Sequence, residues 1–196
     1  MLKVGITGGI GSGKSTVCRM FGVLGIPVFS SDDEGKRLLA EDPEVRSALI
    51  AAFGPEIFVN DVLDRKALGA VVFSDRASLD RLNTIVHPAV RAAFSAWAQK
   101  QQAPYVINEA AILVETGAYK QLDHLIVVTA PEGERIARVM RRDGATEEHV
   151  RARMSNQMDD AARADVADSI IVNDGESMVI PQVLAVHGKL LKKARS

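Results

Sequence analysis

The sequence predicts an α/β protein in which a parallel sheet is flanked by helices. Three observations lead there. A glycine-rich loop stands between an apolar run and a helical pattern at the start of the chain, further short apolar runs recur at 26–29, 105–108, 125–128 and 169–172, and stretches of helical periodicity separate them. Strands buried on both faces of a parallel sheet read as continuous apolar runs of this kind, whereas strands with one wet face alternate.

The first run, Leu2-Lys3-Val4-Gly5-Ile6, leads into Gly8-Gly9-Ile10-Gly11-Ser12-Gly13-Lys14-Ser15-Thr16, which satisfies G-x-x-x-x-G-K-[ST]. Glycines at these positions let successive backbone N–H groups converge on one anion. Lys14 adds a mobile positive charge, Ser15 offers a hydroxyl of the kind that binds Mg²⁺, and the N-terminus of the following helix favours negative charge further. Val17, Cys18, Phe21 and Leu24 keep helical spacing, with Gly25 as a stop. Strand, loop and helix in this order predict a P-loop NTPase core that binds a triphosphate tail with its metal.

At 196 residues the chain is long enough for one domain with insertions. Its formal charge of −1 supplies no global field toward nucleic acid or an anionic membrane. Cys18 is the only cysteine, which excludes an internal disulfide and a cysteine-based zinc site and fits a reducing compartment. No apolar run approaches bilayer length and no export segment precedes the first strand, so the expected location is cytoplasmic, without membrane or nucleic-acid partners. The oligomeric state is left open.

The second apolar run, Ile26-Pro27-Val28-Phe29, ends at Ser30-Ser31-Asp32-Asp33-Glu34, a carboxylate cluster at the carboxyl edge of the sheet where ligands of such folds bind. The other role open to these acids is to cap and charge the first turn of the next helix, and for any single one of them that role is favoured. From Lys36 to Gln102 the pattern is helical almost throughout, broken near Phe53-Gly54-Pro55 and again at His87-Pro88. That is too long for one crossover and predicts an inserted helical region with a second binding surface. Leu79, Leu82 and Val86 give one helix its buried face and Val90, Phe94 and Trp97 give the next its own, with Trp97 read as core. His87, before a proline suited to a first helical position, stands at a helix entrance, facing the cleft or capping.

Tyr105-Val106-Ile107-Asn108 ends at Glu109, and an acid at the end of a strand in a P-loop protein can hold the metal through water; capping the next segment is its alternative role, and Glu115 is a more distant rival. After the run Leu125-Ile126-Val127-Val128, Pro131 opens a helix in which Arg135, Arg138 and Arg142 share one face with Arg141 beside them, while Ile136, Val139 and Met140 form the apolar side. Gly144 breaks it and Thr146 starts another carrying Arg151 and Arg153. A charge run is usually a solvated face, but a paired-helix flap rich in arginine suits a lid closing over phosphates. Ser169-Ile170-Ile171-Val172 reads as the final strand, and Val179, Ile180, Val183, Leu184, Leu190 and Leu191 give the last helix its apolar face.

A small-molecule kinase accounts for the most features together: a P-loop, a nearby acid, an inserted region for the acceptor and an arginine lid. The alternatives are a kinase of another nucleotide-like small molecule and a GTPase-type switch. Asp32-Asp33-Glu34-Gly35 spells the D-x-x-G of the latter, but no N-K-x-D segment accompanies it.

Several segments together resemble the dephospho-CoA kinase family. They are 4–16, Leu24-Gly25-Ile26-Pro27-Val28, Leu63-Asp64-Arg65, Ile85-Val86-His87-Pro88, Ile112-Leu113-Val114-Glu115, Arg141-Arg142-Asp143 and 167–175. The resemblance spans nearly the whole chain and rests on order and spacing. It implies ATP as co-substrate, Mg²⁺, and dephospho-CoA as acceptor, phosphorylated on its ribose 3′-hydroxyl. Carried over by position, it implies that Gly11, Ser12, Gly13, Lys14, Ser15 and Thr16 bind the ATP phosphates, Asn173 lies near adenine, and Ser15 and Glu109 serve the metal. Asp32 is the implied catalytic acid, assisted by Lys14 and Arg142, and Asp32, Lys36, Arg65 and His87 are implied contacts of the acceptor. Residues 1–29, 103–134 and 166–196 would form the nucleotide core, 30–102 the helical acceptor region and 135–165 the lid. The chain departs from the family's pattern at Ser30, where an acid is common, at Lys36, where arginine is usual, and at Glu109-Ala110-Ala111-Ile112-Leu113, in place of D-x-P-L-L.

Overall fold

A computed structural model describes residues 1–195, the Phe73 side chain apart; Ser196, the last residue of the expected core, lies outside the described residues. In chain order the elements are β1 (Leu2–Thr7), α1 (Lys14–Val23), β2 (Val28–Ser30), α2 (Ser31–Glu41), α3 (Pro43–Phe53), β3 (Phe58–Val59), β4 (Val62–Leu63), α4 (Arg65–Ser74), α5 (Arg76–Gln99), β5 (Tyr105–Glu109), β6 (His124–Thr129), α6 (Glu132–Asp143), α7 (Glu147–Ser155), α8 (Asp160–Asp165), β7 (Ser169–Val172) and α9 (Val179–Lys193). They fall into two compact units, Met1–Ser30 with Gln101–Ser196, and Ser31–Lys100.

The first unit carries a parallel sheet in the order β2-β5-β1-β6-β7. The chain leaves the central strand β1 toward β2 and β5 on one side and later reaches β6 and β7 on the other. The carboxyl end of β1 is therefore the switch point at which open α/β sheets bind ligands. The expected apolar runs all contribute strands, the three central ones sandwiched on both faces, while the edge strand β7 leaves Ile170 and Val172 exposed and buries Ile171. Val4, Ile6, Tyr105, Ile107, Ile126 and Val128 meet Val17, Cys18 and Phe21 of α1 and Val183, Val186 and Leu190 of α9. Leu125 and Val127, on the other face, meet Ala110, Leu113 and Val114. The last helix buries a narrower stripe than its spacing suggests: Ile180 and Leu184 are 61% and 49% exposed.

The second unit is helical with one short antiparallel hairpin, β3 paired with β4. Its helices are punctuated by aspartates. Asp42, Asp64 and Asp75 each accept hydrogen bonds from the first backbone N–H groups of α3, α4 and α5, and Pro43 occupies the first position of α3. Leu38, Val45, Leu49, Ile57, Leu63, Leu68 and Val72 form its core, flanked by Leu79, Leu82, Ile85, Ala89 and Val90 of α5.

Two expectations about this unit are corrected. The hairpin interrupts the helical pattern, turning at Asn60 and Asp61, both in the left-handed conformation (φ 49° and 65°). There is no helix boundary at His87-Pro88, since α5 runs through Pro88 without ending. An interior proline removes one backbone hydrogen bond, but the stripe from Leu79 to Ala93 lies against one core on both sides of Pro88, and that burial outweighs the lost bond. His87 thus lies mid-helix and caps nothing.

Leu49 is fully buried and Leu184 half exposed, so Leu49→Ala should lower the unfolding free energy in urea by about 2–5 kcal/mol. Leu184→Ala should change it by about 0.5 kcal/mol or less. Equal effects would contradict this placement of the core.

Candidate nucleotide site

The glycine loop connects β1 to α1 at the switch point. Gly13 stands at the N-cap of α1 with φ 94°, and no side chain caps the helix there. The first N–H groups of α1 are the orphan donors that attract an anion. Lys14 folds back over the loop, its Nζ donating to the carbonyls of Gly8 at 2.7 Å and Gly9 at 3.4 Å. The ammonium is thereby held at the loop. Ser12 is fully buried, and its Oγ has no hydrogen-bond partner among the described residues. A buried hydroxyl left without a partner in the loop is a fitting contact for a phosphate oxygen.

The loop is fastened from outside. Asn173, just past β7, donates from Nδ2 to the Ser12 carbonyl (2.8 Å) and from its backbone N to the Thr129 carbonyl (2.8 Å), and its own carbonyl accepts from Arg138 Nη2 (2.9 Å). Gln157 accepts from the Ile10 N–H through Oε1 at 2.8 Å. Asn173 is thus brought to the loop together with Arg138 of the arginine-rich helix, while Gln157 joins the site without having been singled out from the sequence.

On the β5 side, Ser15 Oγ donates to Glu109 Oε1 at 2.7 Å. A hydroxyl and a carboxylate are hard oxygen donors of the kind Mg²⁺ accepts alongside water and phosphate oxygens, so the pair fits such an ion. Glu115, the rival acid, is taken up elsewhere, by Arg163 at 2.8 Å. Beneath Glu109 the buried Cys18 thiol is pushed well above its usual range, first by burial and then by the Glu109 carboxylate. It stays protonated and is no nucleophile.

The arginines divide into distinct settings. Arg142 grips Asp143 with Nε at 2.6 Å and Nη2 at 3.0 Å, and Arg153 reaches the same carboxylate from α7 at 2.8 Å. These two guanidiniums, Arg142 foremost, hold the Asp143 carboxyl well below the ordinary carboxylate range. Arg135 does not share a solvated face with them as the helical spacing suggests: it is 5% exposed and paired with Asp160 of α8. Met140, expected on the apolar side, is 37% exposed.

In the second unit, Asp32 stands exposed in the first turn of α2 beside Asp33 and Glu34. Lys36 pairs with Asp33 at 2.8 Å, while Arg65 opens α4 and lies near the Lys36 carbonyl. His87 is half-buried in a groove with Asn83, Thr84 and Arg91. Burial and, secondarily, Arg91 lower its pKa, so at pH 7 it is a neutral hydrogen-bond partner.

Sequence comparisons with known proteins agree on one family. The sequence model for dephospho-CoA kinase matches residues 2–178. A dephospho-CoA kinase from Bacteroides fragilis is 38% identical over 193 residues, covering 98% of this chain and 94% of that protein. A solved structure from Thermus thermophilus superposes with a TM-score of 0.86 at 36% identity, covering 96% of this chain and 97% of the other. A dephospho-CoA kinase from Campylobacter jejuni superposes with a TM-score of 0.70 at 27% identity, covering 97% and 98%.

The loop geometry is tested at Gly13, where an added Cβ would lie 2.2 Å from Asn173 Nδ2 on a backbone that L-residues rarely adopt. Gly13→Ala should weaken ATP binding at least about tenfold in calorimetric titration, the backbone conformation alone costing about 1–2 kcal/mol. Gly22→Ala, where a Cβ meets nothing within 4 Å, should leave the affinity unchanged.

Proposed function

The chain belongs to the dephospho-CoA kinase family, and from that premise we propose that it transfers the γ-phosphoryl group of ATP to the ribose 3′-hydroxyl of dephospho-CoA. The products are CoA and ADP, in coenzyme A biosynthesis. One observation carries the reading: the glycine loop with Lys14 bent over its own carbonyls, at the carboxyl end of β1 and beside Glu109.

The acceptor oxygen forms a bond to the γ-phosphorus as the bond to the β–γ bridging oxygen breaks. ADP leaves with that electron pair. The acceptor proton passes to a carboxylate, a role we assign to Asp32. The N–H groups of 11–16 and the Lys14 ammonium hold the phosphates, with Asn173 keeping the loop in place. Ser15 and Glu109 would hold Mg²⁺, directly or through water, and the ion when bound offsets phosphate charge.

Arg142 is assigned to the transferring group. Its pairing with Asp143 is exposed, and such pairs are weak enough to exchange for a phosphate. Lys36, Arg65 and His87 are assigned to dephospho-CoA, the first two for its phosphates and neutral His87 for a hydrogen bond. On this reading 1–29, 103–134 and 166–196 serve the nucleotide, 30–102 the acceptor, and 135–165 form the lid that excludes water from the γ-phosphate.

Incubation with ATP, Mg²⁺ and dephospho-CoA should yield CoA and ADP in equal amounts, and nucleoside monophosphates should not replace the acceptor. Lys14→Ala should abolish transfer without loss of fold. Asp32→Asn should lower kcat about a hundredfold or more with the KM for ATP nearly unchanged. If Asp33→Asn produced that loss and Asp32→Asn did not, the acid would be the neighbouring residue.

A further inference from the structure

Behind the glycine loop lies a chain of charges, its two arginines buried and Asp160 partly exposed, that the transfer reaction does not use. Arg135 of α6 packs directly against the loop. A Cβ added at Gly9 would lie 2.7–2.9 Å from Arg135 Nη1, Cζ and Nη2, and one at Gly11 would lie 2.4 Å from the Arg135 carbonyl oxygen. Both positions are therefore closed to any larger residue while Arg135 stays where it is.

The guanidinium is held in turn. Arg135 Nη1 donates to Asp160 Oδ2, and Asp160 Oδ1 accepts from Arg163 Nη1 at 2.7 Å. Arg163, fully buried, donates from Nη2 and Nε to Glu115 Oε1 at 2.8 and 3.2 Å. Two guanidiniums and two carboxylates alternate in one line, so the cluster carries no net charge. It ties together α6, α8, the segment after β5 and the back of the loop. Asp160 borders a cavity of about 350 Å³ shared with Arg151 and Gln157, the residue that also holds the Ile10 N–H.

A largely buried ion network of this kind is poor evidence for stability, because desolvation of its arginines consumes most of the attraction. It does fix geometry. Loss of one partner would leave a guanidinium unpaired against a backbone whose N–H directions decide phosphate binding. We infer that Asp160 and Arg163 are positioning residues for ATP: acting through Arg135, they set the conformation of the 9–11 segment of the loop. The inference rests on the proposed use of this loop for ATP.

The test compares Arg135→Gln, Asp160→Asn and the double variant with the unsubstituted enzyme, measuring KM for each substrate, kcat and thermal midpoint. Each single change should raise the KM for ATP about five- to twentyfold and move the KM for dephospho-CoA less than twofold. In the double variant the effects should not multiply, because both act through one contact. Arg163→Lys, which keeps the charge but loses the fork spanning two carboxylates, should give part of the same defect.

A shift in thermal midpoint with both KM values unchanged, equal shifts in both KM values, or multiplying effects would each overturn the inference. If the single variants do not fold, the double variant, which leaves no unpaired charge, decides alone. A tenfold loss of ATP affinity in calorimetry supports the inference, and affinity equal to that of the unsubstituted enzyme overturns it. Failure of the unsubstituted enzyme to make CoA would remove the assigned activity instead, a separate outcome.

Discussion

The constraint on which the rest depends is the direction of a few backbone N–H groups between β1 and α1. Glycine makes that arrangement accessible but cannot maintain it, since a residue without a side chain contributes no packing of its own. The loop must be held by what surrounds it. Asn173 holds the Ser12 carbonyl, Gln157 the Ile10 N–H and Lys14 the Gly8 carbonyl, while Arg135 fills the space behind Gly9 and Gly11. These anchors come from positions up to 161 residues away, so the phosphate cradle is a product of the whole first unit.

The chain's near neutrality conceals a division of labour among its arginines. Some pair at the surface with acids a few residues away, as Arg37 does with Glu34 and Glu41, Arg151 with Glu147 and Arg142 with Asp143. Such exposed pairs contribute little to stability and can be exchanged. Arg135 and Arg163 are buried and tied to acids from distant segments, where reorganisation is costly. Arg142 belongs to the first kind, and on the proposed reading that exposed pair is the sort a side chain can give up for a phosphate.

Reading by local pattern succeeded where the physics is local. The strands of the parallel sheet were legible because each is a short apolar run bounded by turn residues, and α1 because its loop motif requires a helix; the two-residue strands of the β3–β4 hairpin are too short to show such a run. The break at Gly144 followed from one residue that left-handed backbone favours. Arg135 was misread because a helical wheel of α6 cannot show Asp160, 25 residues later, which makes its burial possible. Continuity of α5 through Pro88 was hidden for a similar reason, since the compensating core comes from α2, α3 and α4. Arg163 left one faint trace, the three-residue spacing from Asp160, whereas nothing around Gln157 marked it as the partner of Ile10.

The chain's departure from the family pattern at residue 109 has a geometric consequence. Glu109 is the last residue of β5, in register with Ile6 of β1 and Ser30 of β2, so its backbone is fixed by hydrogen bonding on both sides. From that fixed point its carboxylate reaches Ser15 Oγ at 2.7 Å. An aspartate there would fall short by about one C–C bond, ~1.5 Å, and would require water to complete the contact. The extra methylene thus allows the direct contact seen here. It also seats the carboxylate beside Cys18, where it adds to burial in keeping that thiol protonated and chemically silent beneath the nucleotide site.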